Sequence, residues 1–75
     1  MEYKTDTFVE QEYKLSENIC LVIEEWEIYV EVDSVHFPLS KEILENKLTN
    51  ENSTITIDES VKNKIFFILK ANKII

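Results

Sequence analysis

The segment from Trp26 to Leu39, WEIYVEVDSVHFPL, alternates apolar and polar residues with a period of two. Successive side chains of a β-strand point to opposite faces, so this pattern places an apolar set toward a core and an acidic set toward solvent. Asp33-Ser34 stands where a two-residue turn belongs, and the apolar pattern then resumes. The pattern therefore predicts a β-hairpin over residues 26–39, in which Glu31 lies opposite His36 on the outer face.

A second apolar stretch, ICLVI at residues 19–23, is too short for a buried helix and predicts a central strand. Cys20, Val22 and Trp26 share the parity of the apolar residues in the hairpin. No Gly or Asn marks a tight turn at Glu24-Glu25, so we expect one long strand over 19–33 with a bend or bulge. The alternative is a turn near Glu24-Glu25. Trp26 is interpreted as a core anchor, and the alternative is an interface hot spot.

The second half of the chain contains signals for helices. Ser40 is a good N-cap and predicts a short helix over about 41–48, with Ile43, Leu44 and Leu48 turned inward. Residues 54–57, TITI, predict a short strand.

The C-terminal stretch is ambiguous between two structures. Asp58 as an N-cap and lysines at the far end favour a helix over about 59–73. Apolar residues at helical spacing give this helix one continuous stripe, formed by Val61, Ile65, Ile68, Leu69 and Ile75 together with Asn72. The alternative is a strand at 65–69, where the residue types are those of a strand.

Near the N-terminus, residues 3–14 favour a strand because Thr, Tyr, Phe and Val dominate, and a helix begun by Thr7 is the alternative. With 75 residues, the chain has room for one domain. We therefore expect residues 1–75 to form a single α+β domain. It would hold a small antiparallel sheet of three to five strands, one short helix and a C-terminal helix packed on the sheet.

The net charge of −7 is distributed unevenly. Residues 1–34 contain ten acidic residues and two lysines, whereas residues 35–75 contain five acidic residues and six lysines. Such a chain lacks the cations that direct nucleic-acid binding needs, and it would be repelled by anionic membranes. We expect its partner to be a basic protein surface.

Several chemistries are disfavoured by composition. The chain contains no glycine, whereas phosphate-cradling loops and dinucleotide fingerprints depend on glycine. One Cys and one His provide neither an internal disulfide nor a zinc site, so we expect no metal and no cofactor. His36 is interpreted as the cross-strand partner of Glu31, and Cys20 as a small buried residue. We expect no enzymatic activity.

Localisation is inferred from the same residues. The start MEYKTDTFVE has no apolar run of the kind that a signal peptide needs, and no apolar stretch approaches the length of a membrane span. With a lone cysteine, this favours a cytoplasmic protein.

The candidate binding site is the acidic side of the predicted long strand. Residues two apart on a strand lie about 6.6 Å from each other on one face, which is close to the scale of successive phosphates on a nucleic-acid strand. A row of carboxylates at this spacing predicts a mimic of a nucleic-acid backbone, and the alternative is a solvated face whose charges prevent aggregation. The candidate residues are Glu24, Glu25, Glu27, Tyr29, Glu31 and Asp33.

Two functional hypotheses follow. The first is a small, non-catalytic inhibitor or modulator, of the kind that phages and mobile elements encode, which docks the acidic face on a basic protein. The second is a homo-oligomeric assembly or ligand-sequestering module, a homodimer for example, that uses an apolar C-terminal surface. The candidate residues of that surface are Phe66, Phe67, Ile74 and Ile75.

Overall fold

A computed structural model describes residues 10–74 of the chain, and the α+β class is confirmed. A four-stranded antiparallel sheet in the order β1-β2-β3-β4 is followed by a 3₁₀ helix, a two-stranded hairpin and a C-terminal helix. The strands of the main sheet are β1 (Gln11–Ser16), β2 (Ile19–Ile23), β3 (Ile28–Val32) and β4 (Val35–Pro38). The remaining elements are the 3₁₀ helix (Lys41–Glu45), β5 (Lys47–Thr49), β6 (Thr54–Thr56) and α1 (Glu59–Ala71).

The predicted hairpin is present with the predicted pairing. Glu31 lies opposite His36 in β4, and Asp33 and Ser34 both have positive φ values, 52° and 67°. Positive φ at both central residues defines the type I′ turn that suits the twist of a two-residue hairpin. Pro38 ends β4 at the edge of the sheet, where its missing N–H leaves no ladder bond unmade.

The predicted long strand over 19–33 is wrong, because the chain reverses between Ile23 and Ile28 and these two residues pair. Glu24 N–H donates to the Glu27 carbonyl at 2.8 Å and closes this reversal. Trp26 lies in the turn with 89% of its surface exposed, so it is not a core anchor.

The reversal also changes which residues face the core. Leu21 lies opposite Val30, and both are fully buried, whereas Cys20 lies opposite Glu31. Cys20 therefore lies on the outer face of the sheet, half-buried, and the parity assigned to it from the sequence is wrong.

The predicted helix over 41–48 is also wrong in extent. Ser40 does cap an N-terminus, since its hydroxyl accepts from Glu42 N–H at 3.3 Å, but the helix that follows is a 3₁₀ turn ending at Glu45. Leu44 is 64% exposed rather than inward, and Leu48 is buried as a strand residue of β5. The 3₁₀ pitch of three residues per turn presents one residue, Ile43, to the core in this short span.

The C-terminal helix is confirmed and covers the core face of the sheet. Its Asp58 N-cap makes no side-chain cap bond, in contrast to the prediction. Lys64 Nζ donates to the Leu15 carbonyl at 3.0 Å and Asn72 Nδ2 to the Tyr13 hydroxyl at 3.3 Å, so the helix lies along β1. The core combines the inner face of the main sheet, the β5–β6 hairpin and the apolar stripe of α1. Its buried members are Leu15, Leu21, Val30, Phe37, Ile43, Leu48, Ile57, Val61, Ile65 and Leu69.

A strand was predicted for residues 3–14. Gln11–Lys14 do form a strand, as part of β1, and residues 3–9 lie outside the described range. In the described part of the chain, the helices lack the length and apolar character that a membrane crossing needs.

Candidate functional site

The outer face of the main sheet is the side turned away from the helix. Two rows of paired residues cross it, and alternation along each strand assigns them to this face. The rows are Glu12–Val22–Tyr29–Pro38 and Lys14–Cys20–Glu31–His36. Carboxylates of Glu24 and Glu27 reach the same face from the β2–β3 turn through hydrogen bonds with Tyr29 and His36. We call this set the acidic face.

Tyr29 and His36 form the centre of the acidic face. Their rings stack with centroids 4.0 Å apart and planes 10° from parallel. His36 Nε2–H donates to Glu27 Oε2 at 2.7 Å, and the Tyr29 hydroxyl donates to Glu24 Oε2 at 3.5 Å. The predicted His36–Glu31 backbone pairing is therefore present, but the imidazole leans along the sheet and bonds to Glu27 instead of Glu31.

Negative charge accumulates around this centre. The pKa of Glu10 is raised above its ordinary value, first by a hydrogen bond with Glu12, then by burial and by the charges of Glu24 and Glu31. Burial is the main cause that raises the pKa of Tyr29, followed by the charges of Glu24, Glu10 and Glu31. The carboxylates of Glu31 in β3 and of Glu24 in the β2–β3 turn thus act on the same two groups, because they share one face.

The structure brings together part of the predicted site. Glu24, Glu27, Tyr29 and Glu31 all contribute to the acidic face. Glu25 lies in the exposed β2–β3 turn, and β3 begins only at Ile28, so the predicted row is not a continuous ladder from Glu25 to Asp33.

Asp33 belongs to the opposite end of the sheet. It lies in the β3–β4 turn, where Asn18 Nδ2 donates to its Oδ1 at 3.0 Å and its own N–H donates to the Asn18 carbonyl at 3.0 Å. These bonds tie the β1–β2 turn to the β3–β4 turn, so Asp33 has a structural role beside any contribution to binding.

Sequence reasoning missed the apolar base of the acidic face. Val22 is 2% exposed, yet it lies between Glu12 and Tyr29 in the outer row and is not part of the main core cluster on the helix side of the sheet. Its position depends on the β2–β3 reversal, which places Cys20 and Val22 on the same face as Tyr29 and Glu31 and leaves no turn signature in the sequence. Lys14 at the β1 edge, also missed, adds a positive charge to the row that contains Glu31.

The C-terminal apolar residues do not form one surface. Phe67 is 74% exposed and lines a groove of about 440 Å³ with Leu15 and Ile68, whereas Phe66 is half-buried against the core. Ile74 lines a different groove, beside Trp26. The fourth predicted residue, Ile75, lies outside the described range.

Between residues 10 and 74, no three His, Cys, Asp or Glu side chains are placed to hold a metal ion together. Cys20 is a free thiol, half-buried beside Glu31 in the outer row.

Comparison of this chain with protein-family models, with curated proteins and with solved structures finds no match.

Proposed function

We propose that this protein is a non-catalytic inhibitor or modulator, of the kind found in phages and mobile elements, that docks its acidic face on a basic surface of another protein. One observation carries the proposal. Five glutamates from separate parts of the chain converge on one face of the sheet. The five are Glu10, Glu12, Glu24, Glu27 and Glu31. The charges of Glu24 and Glu31 contribute to the raised pKa of both Glu10 and Tyr29, while Glu12 bonds to Glu10 and Glu27 bonds to His36. Among the described residues, Lys14 is the lysine that lies in the same rows.

Such a face suits a surface that normally holds nucleic acid. Glu27, Tyr29 and Glu31 follow each other at every second position, and the strand rise separates the Cα atoms of the two glutamates by about 13 Å. The carboxylates of β1 and of the turn extend this negative field sideways. A basic protein would gain long-range electrostatic steering from it, and a nucleic acid would be repelled.

The test is a double charge reversal, Glu27→Lys with Glu31→Lys. We expect the variant to lose its partner, because two repulsive charges replace two attractive ones at the centre of the interface, while its far-UV circular dichroism stays unchanged. The measurement is a pull-down from host lysate with stepwise salt elution and mass spectrometry. A basic, nucleic-acid-binding partner should elute at moderate salt and be displaced by DNA, since exposed charge contacts weaken as salt screens them.

The matched control is Glu42→Lys with Glu45→Lys, which changes the net charge equally on exposed residues of the 3₁₀ helix. It should retain the partner. Wild-type recovery of the partner by the Glu27/Glu31 variant would refute the proposal.

A homo-oligomer built through the groove that Phe67 lines with Leu15 and Ile68 is a second candidate, favoured by the 74% exposure of Phe67. A phenyl ring left in water is a typical anchor for a self-association surface. On this proposal Phe67→Glu yields monomers, measured by light scattering after size exclusion. Leu44→Glu is the control, since Leu44 is 64% exposed elsewhere and should not change the mass. A wild-type protein that is monomeric and stable would rule this candidate out.

A further inference from the structure

The β2–β3 turn exposes the one tryptophan of the chain. Trp26 is 89% exposed, although tryptophan is among the most buried residues on average. The neighbouring acids Glu24, Glu25 and Glu27 complete the turn. A domain of this size has few large side chains with which to build a core, so leaving the indole in water forgoes stabilisation that folding alone would favour.

A groove of about 510 Å³ lies beside this turn. Its apolar walls are Ile23 and Ile28 at the strand ends, Leu39 after β4, and Ile74 beyond the helix. Ile74 is held there by the end of α1: Lys73 has a left-handed backbone (φ 60°), and Ile74 N–H donates to the Leu69 carbonyl at 2.9 Å. This is the hydrogen-bond pattern of a Schellman motif, which turns the chain back over the helix end.

The charges at this groove have one sign. Glu24, Glu25 and Glu27 line it together with Trp26, and within residues 10–74 no lysine is among its lining residues. Glu27 also accepts the hydrogen bond from His36 on the acidic face, so the groove continues from that face around the end of the sheet.

Aliphatic walls, an exposed indole and carboxylates together match one kind of side chain. A long cationic residue can lay its methylene stem along the aliphatic walls and keep its charged end near the carboxylates. A guanidinium is planar, stacks on an indole face and donates to a carboxylate through two parallel N–H groups. An ammonium has neither property and acts as a point charge.

We propose that the groove beside Trp26 is the anchor site for an arginine side chain of the basic partner. The assignment rests on the proposed function and adds the residue type that the partner inserts. The acidic face supplies attraction over a wide area, and the groove supplies the selective contact. Trp26 is then the hot spot of the interface, with neighbouring acids around it.

The experiment measures binding of a hexa-arginine peptide and a hexa-lysine peptide of equal charge by titration calorimetry. We expect the wild-type protein to bind hexa-arginine more tightly than hexa-lysine. Trp26→Ala should weaken hexa-arginine binding about two- to fivefold and remove the preference, because an exposed cation–π contact is of that size. Trp26→Phe should retain part of the preference. Since Trp26 is exposed, Trp26→Ala is expected to fold, and circular dichroism verifies this.

Glu31→Lys separates this inference from the proposed function, since Glu31 lies on the acidic face and does not line the groove. This variant should weaken the binding of both peptides by the same factor. If Trp26→Ala leaves hexa-arginine binding unchanged while Glu31→Lys weakens it, the groove assignment is overturned and the acidic face stands. If only Trp26→Ala weakens binding, the groove stands and the acidic face fails. Equal wild-type affinity for the two peptides also overturns the arginine assignment.

Discussion

In the described part of this glycine-free chain, left-handed backbone residues lie at three reversals. Asp33 and Ser34 form the β3–β4 turn, Asn46 ends the 3₁₀ helix, and Lys73 ends α1. The left-handed conformation costs an L-residue about 1–2 kcal/mol, and less for Asn and Asp, whose side chains bond locally. Ser34 and Lys73 carry the larger penalties, so this small domain holds some of its turns against the local preference of the backbone.

Asn46 compensates for its conformation by linking three elements. Its Nδ2 donates to the Ile57 carbonyl at 3.4 Å and to Glu59 Oε1 at 3.1 Å, and its carbonyl accepts from Ile57 N–H at 2.8 Å. The bond from Asn46 is the main cause that lowers the pKa of Glu59, followed by the bond with Lys62. One side chain therefore joins the 3₁₀ helix to the end of the second hairpin and to the start of α1.

We predict that Asn46→Ala destabilises the fold by about 1–3 kcal/mol, since it removes the side-chain bonds and places a Cβ without local bonding in the left-handed region. Asn46→Gly is the matched control: it removes the same bonds but relieves the backbone, so it should lose about 1 kcal/mol less. Urea denaturation measures both. Equal stabilities would show that the backbone conformation is not the source of the loss. In both variants NMR titration should find the pKa of Glu59 closer to its ordinary value.

At the scale of elements, the features that depend on neighbouring residues were predicted correctly from the sequence. The hairpin of β3 and β4 and its turn follow from alternation and from two turn residues, and α1 follows from its apolar stripe, of which Val61, Ile65 and Leu69 are fully inside. The Ser40 cap was predicted from residue type and spacing and is present.

The β2–β3 reversal was not predictable because it leaves no turn signature. Among the described residues, positive φ occurs only at Asp33, Ser34, Asn46 and Lys73, so the Glu24–Glu27 reversal needs neither Gly nor Asn. Its cause is non-local: reversal places Leu21 against Val30 and Ile23 against Ile28, and burial of these aliphatic pairs outweighs the continuity of a single strand.

The same reversal decides how much of the candidate site was predictable. Alternation alone places Tyr29 and Glu31 of β3 on one face, together with Glu27, the residue just before the strand. Their grouping with Glu12 and Val22 depends on the pairing of β1 with β2 and of β2 with β3. Trp26 changed from an expected core residue to an exposed one because a tertiary pairing fixed the position of the turn.

At the scale of the whole molecule, the uneven charge of the sequence gives the two sides of the sheet different charge. Glu10, Glu24 and Glu31 lie close enough to Tyr29 for their charges to raise its pKa, whereas Lys62, Lys64 and Lys70 belong to the helix on the other side of the sheet. The protein therefore has one strongly negative side. Two groups on that side, Glu10 and Tyr29, already hold their protons more tightly than usual, which is the response expected of a concentrated negative field.

We predict an alkaline loss of stability that belongs to Tyr29. Its pKa is raised in the folded state, so the folded protein retains this proton longer than the unfolded chain does. The resulting stabilisation is fully present below the ordinary pKa of tyrosine and is lost as the pH rises through the raised folded value. Urea denaturation across that range should show the decline in wild type and a weaker decline in Tyr29→Phe.

The tyrosinate absorbance difference between wild type and Tyr29→Phe isolates this titration from that of the other two tyrosines. Added salt should bring the pKa of Tyr29 closer to its ordinary value, because it screens the charges of Glu24, Glu10 and Glu31. Identical alkaline profiles for the two proteins would contradict the prediction.

The position of Trp26 also determines what optical methods observe in this protein. Its indole is the one strong fluorophore, and it is nearly as solvated in the folded chain as in an unfolded one. The emission wavelength should therefore change little when urea unfolds the core, and a melting curve recorded by emission would miss the transition that circular dichroism detects. A ligand that covers the turn should shift the emission to the blue. The emission of Trp26 should therefore report the binding of a ligand at the turn and respond little to unfolding.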